Sequence, residues 1–141
     1  MADDFRISTE AAELDVEVIH RFLAEQSTWA RKIPRALVEK SLEHSLNFGG
    51  FLGASQVAFA RVVSDYGTFA NLMDVFVLPE YRGRGYSKRL VEAVLAHPDL
   101  QGLRRFTLAT TDAHGLYARF GFATPRRPET LMERHFPGIY G

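Results

Sequence analysis

The stretch that decides the fold lies just past the middle of the chain, where residues 75–87 read VFVLPEYRGRGYS. Its apolar start is typical of a buried strand, and Pro79 ends that strand because proline has no N–H to donate to a neighbour. Apolar residues at helical spacing follow Ser87, so Gly83 and Gly85 lie in a turn at the start of a helix. Such a turn presents backbone amides and the positive end of the helix dipole, an arrangement suited to a phosphate group.

Outward from this turn, the periodicity predicts a mixed α/β fold. Before the turn we expect a strand at 5–8, a helix at about 14–26, a helix starting at Pro34 with Val38, Leu42 and Leu46 on one face, and an antiparallel meander at about 48–53, 56–64 and 68–78. After it we expect a helix closed by Pro98, a strand at 106–108, a short helix at 113–119 and final strands at 122–124 and 130–136. The order predicts a mixed, mostly antiparallel sheet with helices on both faces.

The composition sets outer limits on the function. The 141 residues carry 17 basic and 17 acidic side chains, a balance typical of one globular domain, residues 1–141, and unlike that of a general nucleic-acid binder. Cysteine is absent, which excludes disulfides, cysteine nucleophiles and cysteine zinc sites, and the five histidines are too widely spaced to predict a metal site. No apolar run is long enough to span a membrane and no signal-peptide pattern is present, so we expect a cytoplasmic location.

The neutral total conceals a local cluster of cations at Arg82, Arg84, Lys88 and Arg89. Two nucleotide motifs can be excluded there. No Gly-Lys-Ser/Thr follows the glycines, as a Walker A loop requires, and a lysine stands where the dinucleotide fingerprint has its third glycine. A glycine-rich loop alone is weak evidence, and a plain helix start with solvated charges remains an alternative, as does a phosphate-binding or nucleic-acid-binding surface over residues 82–89.

A second motif helps to decide between these interpretations of the glycine-rich turn. Residues 116–122 read LYARFGF, and together with residues 75–87 they resemble the GCN5-related N-acetyltransferase (GNAT) family, in particular small bacterial members of undefined acceptor. The first run is similar to the family's acyl-CoA loop, Arg/Gln-x-x-Gly-x-Gly/Ala, with Arg82, Gly85 and Ser87 at its fixed positions. The second is similar to the family's Tyr-x-x-x-Gly-Phe segment, and the resemblance covers about residues 5–136. Ser87 departs from the usual Gly or Ala.

The resemblance implies acetyl-CoA as the acyl donor and a homodimer as a further expectation. It implies that the pyrophosphate is held by amides of Gly83, Arg84, Gly85, Tyr86 and Ser87, with charge from Arg82, Arg84 and Lys88. It implies that the backbone of Phe76, Val77 and Leu78 pairs with the pantetheine arm, which enters where the fourth and fifth strands separate. The Val77 amide would then lie near the acetyl carbonyl as an oxyanion donor.

Two residues are predicted to move protons. Tyr117 matches the family's general acid, which returns a proton to the leaving thiolate, although a packed aromatic residue is the alternative. Asp74 is the first candidate for the base that deprotonates the acceptor amine, since it is the lone acid in an apolar strand three residues before Val77. A purely structural Asp74 is equally compatible with the sequence. Asp65, Tyr66 and His114 are weaker candidates for the base.

The acceptor is less defined than the donor. Residues 29–34, WARKIP, lie where the family usually builds part of the acceptor wall, although a tryptophan there also serves to cover a core. We expect transfer to a primary amine of a small molecule or peptide by direct attack in a ternary complex, because no cysteine is present to form an acyl-enzyme. The main alternative is a non-catalytic module of the same fold that binds acyl-CoA.

Overall fold

One five-stranded sheet organises the protein in the computed structural model, which describes residues 4–141. The strands are β1 (Phe5–Ser8), β2 (Leu46–Leu52), β3 (Ser55–Ser64), β4 (Phe69–Val77) and β5 (Arg105–Leu108). The helices are α1 (Val16–Arg21), continued by a π-helical turn (Phe22–Gln26), α2 (Arg35–Glu43), α3 (Tyr86–Ala96) and α4 (His114–Ala118). This succession confirms the predicted order of elements up to α4.

The strands lie in chain order, β1-β2-β3-β4-β5, and the first four are antiparallel. The chain then crosses over through α3, so that β5 pairs parallel to β4. The glycine-rich turn lies between β4 and α3, as the sequence predicted, and this places it at the carboxyl end of a central strand.

Apolar side chains form one core on each face of the sheet. On the α3 face, Leu90, Val91 and Val94 pack with residues of β3 and β4 and are almost completely buried. On the other face, Ile19 from α1 and Val38 from α2 pack over Phe59 and Phe76. Burial of these stripes is the main stabilising contribution, and it confirms the prediction of helices on both faces.

The second helix ends earlier than its periodicity predicts. The helical spacing of Val38, Leu42 and Leu46 extends the helix to position 46, whereas α2 ends at Glu43 and Leu46 begins β2. Asn47 accounts for the change, since its side-chain amide donates to the backbone oxygens of Leu42 at 2.9 Å and Ser45 at 3.3 Å. These bonds satisfy carbonyls at the helix end.

The prediction of strands at 122–124 and 130–136 is wrong. Phe122 ends a turn after α4, a short 3₁₀ turn forms at Pro128–Thr130, and residues 131–136 pair with no strand of the described residues 4–141. An apolar pattern marks a segment able to form a strand, but a strand is stable only beside another strand.

Membrane-spanning helices were sought in residues 4–141, and none of the helices there combines the length and the apolar character that crossing a bilayer requires.

Candidate functional site

The candidate active site begins where β4 and β5 separate. Their pairing starts at Phe69 with Arg105 and ends at Leu72 with Leu108, while β4 continues for five more residues. Along residues 73–77, β4 pairs only with β3 in the part of the chain that the structure describes. We call the opening beside these five residues the β4–β5 gap. It confirms the predicted separation of the fourth and fifth strands.

At the end of β4, Val77 is the residue whose backbone N–H faces the gap. Leu78 N–H donates to Val57 of β3 at 2.9 Å, and the polar groups of successive residues in a strand point to opposite sides. Phe76, opposite Phe59, therefore points its backbone toward β3, whereas the Val77 N–H points into the gap. Of the three residues predicted to pair with the pantetheine arm, only Val77 presents a free amide.

Next to Val77 lies the glycine loop (residues 82–88), which leads into α3. Gly83 and Gly85 both have φ of 79°, a left-handed conformation that glycine adopts without strain. A Cβ at either position would meet nothing within 4 Å, so backbone conformation and not packing requires the glycines. Their missing side chains leave the backbone open to a ligand.

The glycine loop also supplies hydrogen-bond donors. Among the residues described, the backbone amides of Gly83, Arg84, Gly85, Ser87 and Lys88 donate to no protein acceptor. Amides at the start of an eleven-residue helix carry the positive end of its dipole. A pocket of about 200 Å³ joins this loop to Val77 and to Leu116 of α4. Free amides at a helix start are an arrangement suited to an anion, and here they lie beside the gap.

The predicted cations of the loop have different surroundings. Arg82 turns back so that its Nε donates to the Val77 oxygen at 2.9 Å. The Arg84 guanidinium lies over the Tyr81 ring, 5.4 Å from its centre, and Lys88 is exposed beside the pocket. Tyr86 is buried and stacks on Phe5 at 3.9 Å, so its ring belongs to the core and is not available to a ligand.

Tyr117 lies on α4 and lines the groove along β5, next to Leu116, the α4 residue that shares a pocket with Val77. Its ring packs edge-on against Phe122, and its hydroxyl makes no hydrogen bond within residues 4–141. Burial raises the pKa of Tyr117 above its ordinary value, and the charge of the Asp112 carboxylate adds to the same effect. The side chain therefore carries its proton at neutral pH, as a general acid must.

Asp74 lies in a β-bulge of β4, where one extra residue sits opposite Ala60 of β3. Its backbone has a φ of 55°, which is strained for a residue with a side chain. Its carboxylate accepts hydrogen bonds from Arg61 Nε at 2.8 Å and from Trp29 Nε1 at 2.8 Å. These contacts join β3, β4 and the loop between α1 and α2, and they fix both the bulge and the indole ring.

The weaker candidates for the base lie away from the gap or at its edge. Asp65 caps the β3–β4 turn, accepting from the amides of residues 67–69 and from the Thr68 hydroxyl, and these bonds hold the pKa of its carboxyl well below its usual range. Tyr66 lies exposed in the same turn. His114 is exposed on α4 and lines the same large groove as Tyr117.

The sequence did not predict a role for Arg61, although its guanidinium is hydrogen-bonded to the Asp74 carboxylate. Besides Asp74, its guanidinium donates to the Ser45 hydroxyl at 3.0 Å, and only 13% of its side chain is exposed. A lone cation inside the apolar run of residues 57–63 is the signal that would have found it, because a buried charge requires a partner.

A separated strand pair with an adjoining amide loop is the arrangement that the resemblance to an acetyltransferase family implied, and comparisons with known proteins identify the family. The model of the acetyltransferase (GNAT) domain matches residues 47–124. The chain belongs to this family.

Individual relatives agree with the assignment. A crystal structure of a GNAT-family acetyltransferase from Xanthomonas campestris pv. campestris is 63% identical, with a TM-score of 0.94 and 96% of each chain covered. A Gibberella zeae protein named as an acetyltransferase is 30% identical over 82% of this chain and 77% of its own length. Glucosamine-6-phosphate N-acetyltransferase from Arabidopsis thaliana shares the fold at 15% identity, with a TM-score of 0.64 and coverage of 94% and 98%.

Proposed function

We propose that this acetyltransferase moves an acetyl group from acetyl-CoA to a primary amine of a small molecule or peptide by direct attack in a ternary complex. The observation that carries the proposal is the free Val77 N–H at the gap, in one pocket with the unbonded amides of the glycine loop. A pantetheine arm is an extended chain with amides, which suits an exposed strand edge. A pyrophosphate suits a helix start rich in free amides.

The donor fits the residues present. In the proposal, Gly83, Gly85 and Ser87 hold the pyrophosphate through backbone amides, while Arg84 and Lys88 supply charge toward the outer phosphate. Arg82 has a different part: its bond to the Val77 oxygen fixes the end of β4 and, with it, the amide that faces the acetyl carbonyl. Acetyl-CoA supplies the thioester, and the protein supplies position and charge stabilisation.

The chemistry balances with two proton transfers. The amine nitrogen attacks the acetyl carbon, negative charge gathers on the carbonyl oxygen near the Val77 amide, and the C–S bond breaks as the new C–N bond is completed. Tyr117 gives its proton to the departing thiolate. The amine loses one proton to a base, so the products are an amide and the free thiol of coenzyme A.

We propose Asp74 as the residue that receives the amine proton, through a water molecule. A carboxylate has about four lone-pair sites, and the bonds from Arg61 and Trp29 use two of them. Its position at the bulge, three residues before Val77, supports this role. The same carboxylate orients Trp29, whose side chain is 53% exposed and forms an apolar wall for the acceptor.

The test is a thiol-release assay with acetyl-CoA against a panel of small amines and peptides, run beside thermal unfolding with and without acetyl-CoA. Acetyl-CoA should raise the unfolding temperature, since a ligand of the folded state stabilises it, and at least one amine class should release thiol. Stabilisation without thiol release for any amine would instead identify a non-catalytic acyl-CoA module. The absence of any stabilisation would refute the donor site itself.

A further inference from the structure

Helices α1 and α2 cover only one end of the sheet face on which they pack. At the other end, Ala70 and Leu72 point into the core on the α3 face. Because side chains alternate along a strand, their neighbours lie on the α1–α2 face. Val63 is 41% exposed there and Phe69 40%, so the two helices leave this end uncovered. We call this surface the open sheet face; its residues are Val63, Phe69, Asn71, Met73 and Thr107.

The open sheet face continues directly from the candidate site. Met73 is the first residue of β4 beyond its pairing with β5, and the Asp74 carboxylate that holds the Trp29 indole follows it. From Asp74, Asn71 lies about 10 Å and Phe69 about 17 Å back along β4, at the rise of an extended strand. An acceptor amine beside Asp74 can therefore belong to an extended chain of about six residues on this face.

Asn71 and Thr107 form a polar pair in the middle of the open sheet face. The Thr107 hydroxyl donates to the Asn71 side-chain oxygen at 2.8 Å. Among the described residues, the Asn71 amide nitrogen donates only to the Met73 sulfur at 3.5 Å, which is a weak acceptor. An amide nitrogen carries two hydrogens and a hydroxyl oxygen two lone pairs. The pair thus keeps one donor and one acceptor side by side, which are the partners that a peptide C=O and N–H require.

The surroundings of this pair are mainly apolar. Phe69 and Val63 form the outer end of the open sheet face, where Arg105 of β5 lies opposite Phe69. Exposed apolar side chains on a strand are stabilised when a large apolar group covers them. A ligand that suits this face has an amide at its middle and an apolar group at its outer end.

We propose that the acceptor is an extended peptide whose free N-terminal amine lies beside Asp74 and whose chain runs along the open sheet face. The inference rests on the proposed function and narrows its acceptor class. The fourth residue of the peptide bonds through its backbone to Asn71 and Thr107, and the sixth packs a large apolar side chain on Phe69. A small amine ends near Trp29 and makes neither contact. An N-terminal amine also loses its proton more readily than a lysine amine.

Peptide binding can be measured without chemistry, because Trp29 is the single tryptophan of the chain. The protein in excess coenzyme A, which carries no acetyl group, is titrated with the amidated peptide Ser-Ala-Ser-Ala-Ser-Phe while Trp29 fluorescence is recorded. Matched peptides carry Asp in place of Phe or end after the third residue. The Phe peptide should bind about tenfold more tightly than either. Equal affinity for the long and short peptides, or no binding by any of them, would overturn the proposal.

Two substitutions assign the binding to the open sheet face. Asn71→Asp keeps an oxygen for the Thr107 hydroxyl but removes the amide donor, and Phe69→Thr keeps a strand-forming residue but removes the ring. Each should weaken binding of the Phe peptide about tenfold, with circular dichroism unchanged. Leu37→Ala is the matched control, since Leu37 is 42% exposed on α2, and it should bind as the wild type does. Wild-type affinity in both face variants would contradict the proposal.

A thiol-release assay then connects binding to transfer. With acetyl-CoA, the Phe peptide should have a lower KM than the three-residue peptide, and Phe69→Thr should remove that difference. The titration involves no acetyl transfer, so the two failures are distinct. Peptide binding without thiol release from any amine would refute the proposed function, whereas thiol release from small amines without peptide binding would refute this inference alone.

Discussion

The two halves of β4 differ in the number of strands that pair with them. Residues Phe69–Leu72 pair with β3 on one side and β5 on the other, and Ala70 and Leu72 are almost fully buried there. Within the described residues 4–141, residues 74–77 pair only with β3 and turn the other edge toward the gap. The bulge at Asp74 divides the halves, and one strand thereby has a paired half and a half with one open edge.

Both halves contribute buried apolar side chains, Ala70 and Leu72 in the closed half and Phe76 and Val77 in the open half. The open half adds a free amide at a sheet edge. Substitutions of the buried residues in the closed half should therefore change the free energy of unfolding alone, whereas substitutions around the open half should change binding or catalysis as well. Four predictions test that division.

The largest effect is expected from Leu72→Ala in the closed half. Leu72 is 3% exposed and lies between Val62 and Leu108, so its truncation should lower the free energy of unfolding by about 2–5 kcal/mol. Urea unfolding measures the loss, and acetyl-CoA affinity of the folded protein should stay unchanged. The matched change in the open half, Val75→Ala, should cost less because Val75 is only partly buried. Equal costs would contradict the division.

Tyr117→Phe should lower kcat by about tenfold to a hundredfold, at or below the lower end of general-acid effects, with KM for acetyl-CoA unchanged. Because burial raises the pKa of Tyr117, its acid form persists as pH rises, and the ratio of wild-type to variant kcat should be constant between about pH 7 and 9. Thiol release measures both. Tyr66→Phe, in an exposed turn, is the control. Equal kcat in wild type and Tyr117→Phe would remove the acid role.

Asp74→Asn should lower the free energy of unfolding by about 1–3 kcal/mol, because it leaves the nearly buried Arg61 without its countercharge. Arg61→Gln breaks the same ion pair but keeps the carboxylate, so both variants should unfold more easily while only Asp74→Asn loses kcat. Thermal unfolding and thiol release on the two variants separate these effects. A matching loss of kcat in both would assign Asp74 a positioning role only.

The smallest effect is expected from Gly85→Ala, which places a side chain at a φ of 79° and should cost about 1 kcal/mol. Gly102→Ala is the matched control, since Gly102 has a φ of 72°, equally open surroundings, and a position before the closed end of β5. Both variants should lose similar stability, whereas only Gly85→Ala should weaken acetyl-CoA binding by calorimetry. Equal affinities would mean that the loop does not contact the donor.

The sequence predicted those parts of the molecule that depend on neighbours along the chain. Gly83 and Gly85 between an apolar strand and an apolar helix face specify the turn locally, and the meander follows from its own turn residues. The resemblance, in turn, anticipated the separation of β4 and β5. It named three residues for the pantetheine arm, but only the alternation of bonds with β3 reveals that Val77 alone presents its amide.

The features that the sequence did not predict depend on contacts between residues far apart in the chain. Trp29 and Asp74 are 45 residues apart, and nothing in either segment indicates that they share a hydrogen bond. The strand predicted at 130–136 failed for a related reason: its apolar residues suit a strand, yet no other part of the described chain pairs with it. Asn47 shortened α2 through side-chain bonds that hydrophobic spacing does not register.

The glycine loop has a consequence for how such an enzyme can diverge. Its proposed contacts with the pyrophosphate use main-chain atoms, which nearly every amino acid supplies identically, so substitutions outside the two glycines and the three cations alter them little. The proposed acceptor wall at Trp29 consists of side chains, which single mutations replace. A lineage built on this plan can therefore acquire new amine substrates while its dependence on one common acyl donor is inherited unchanged.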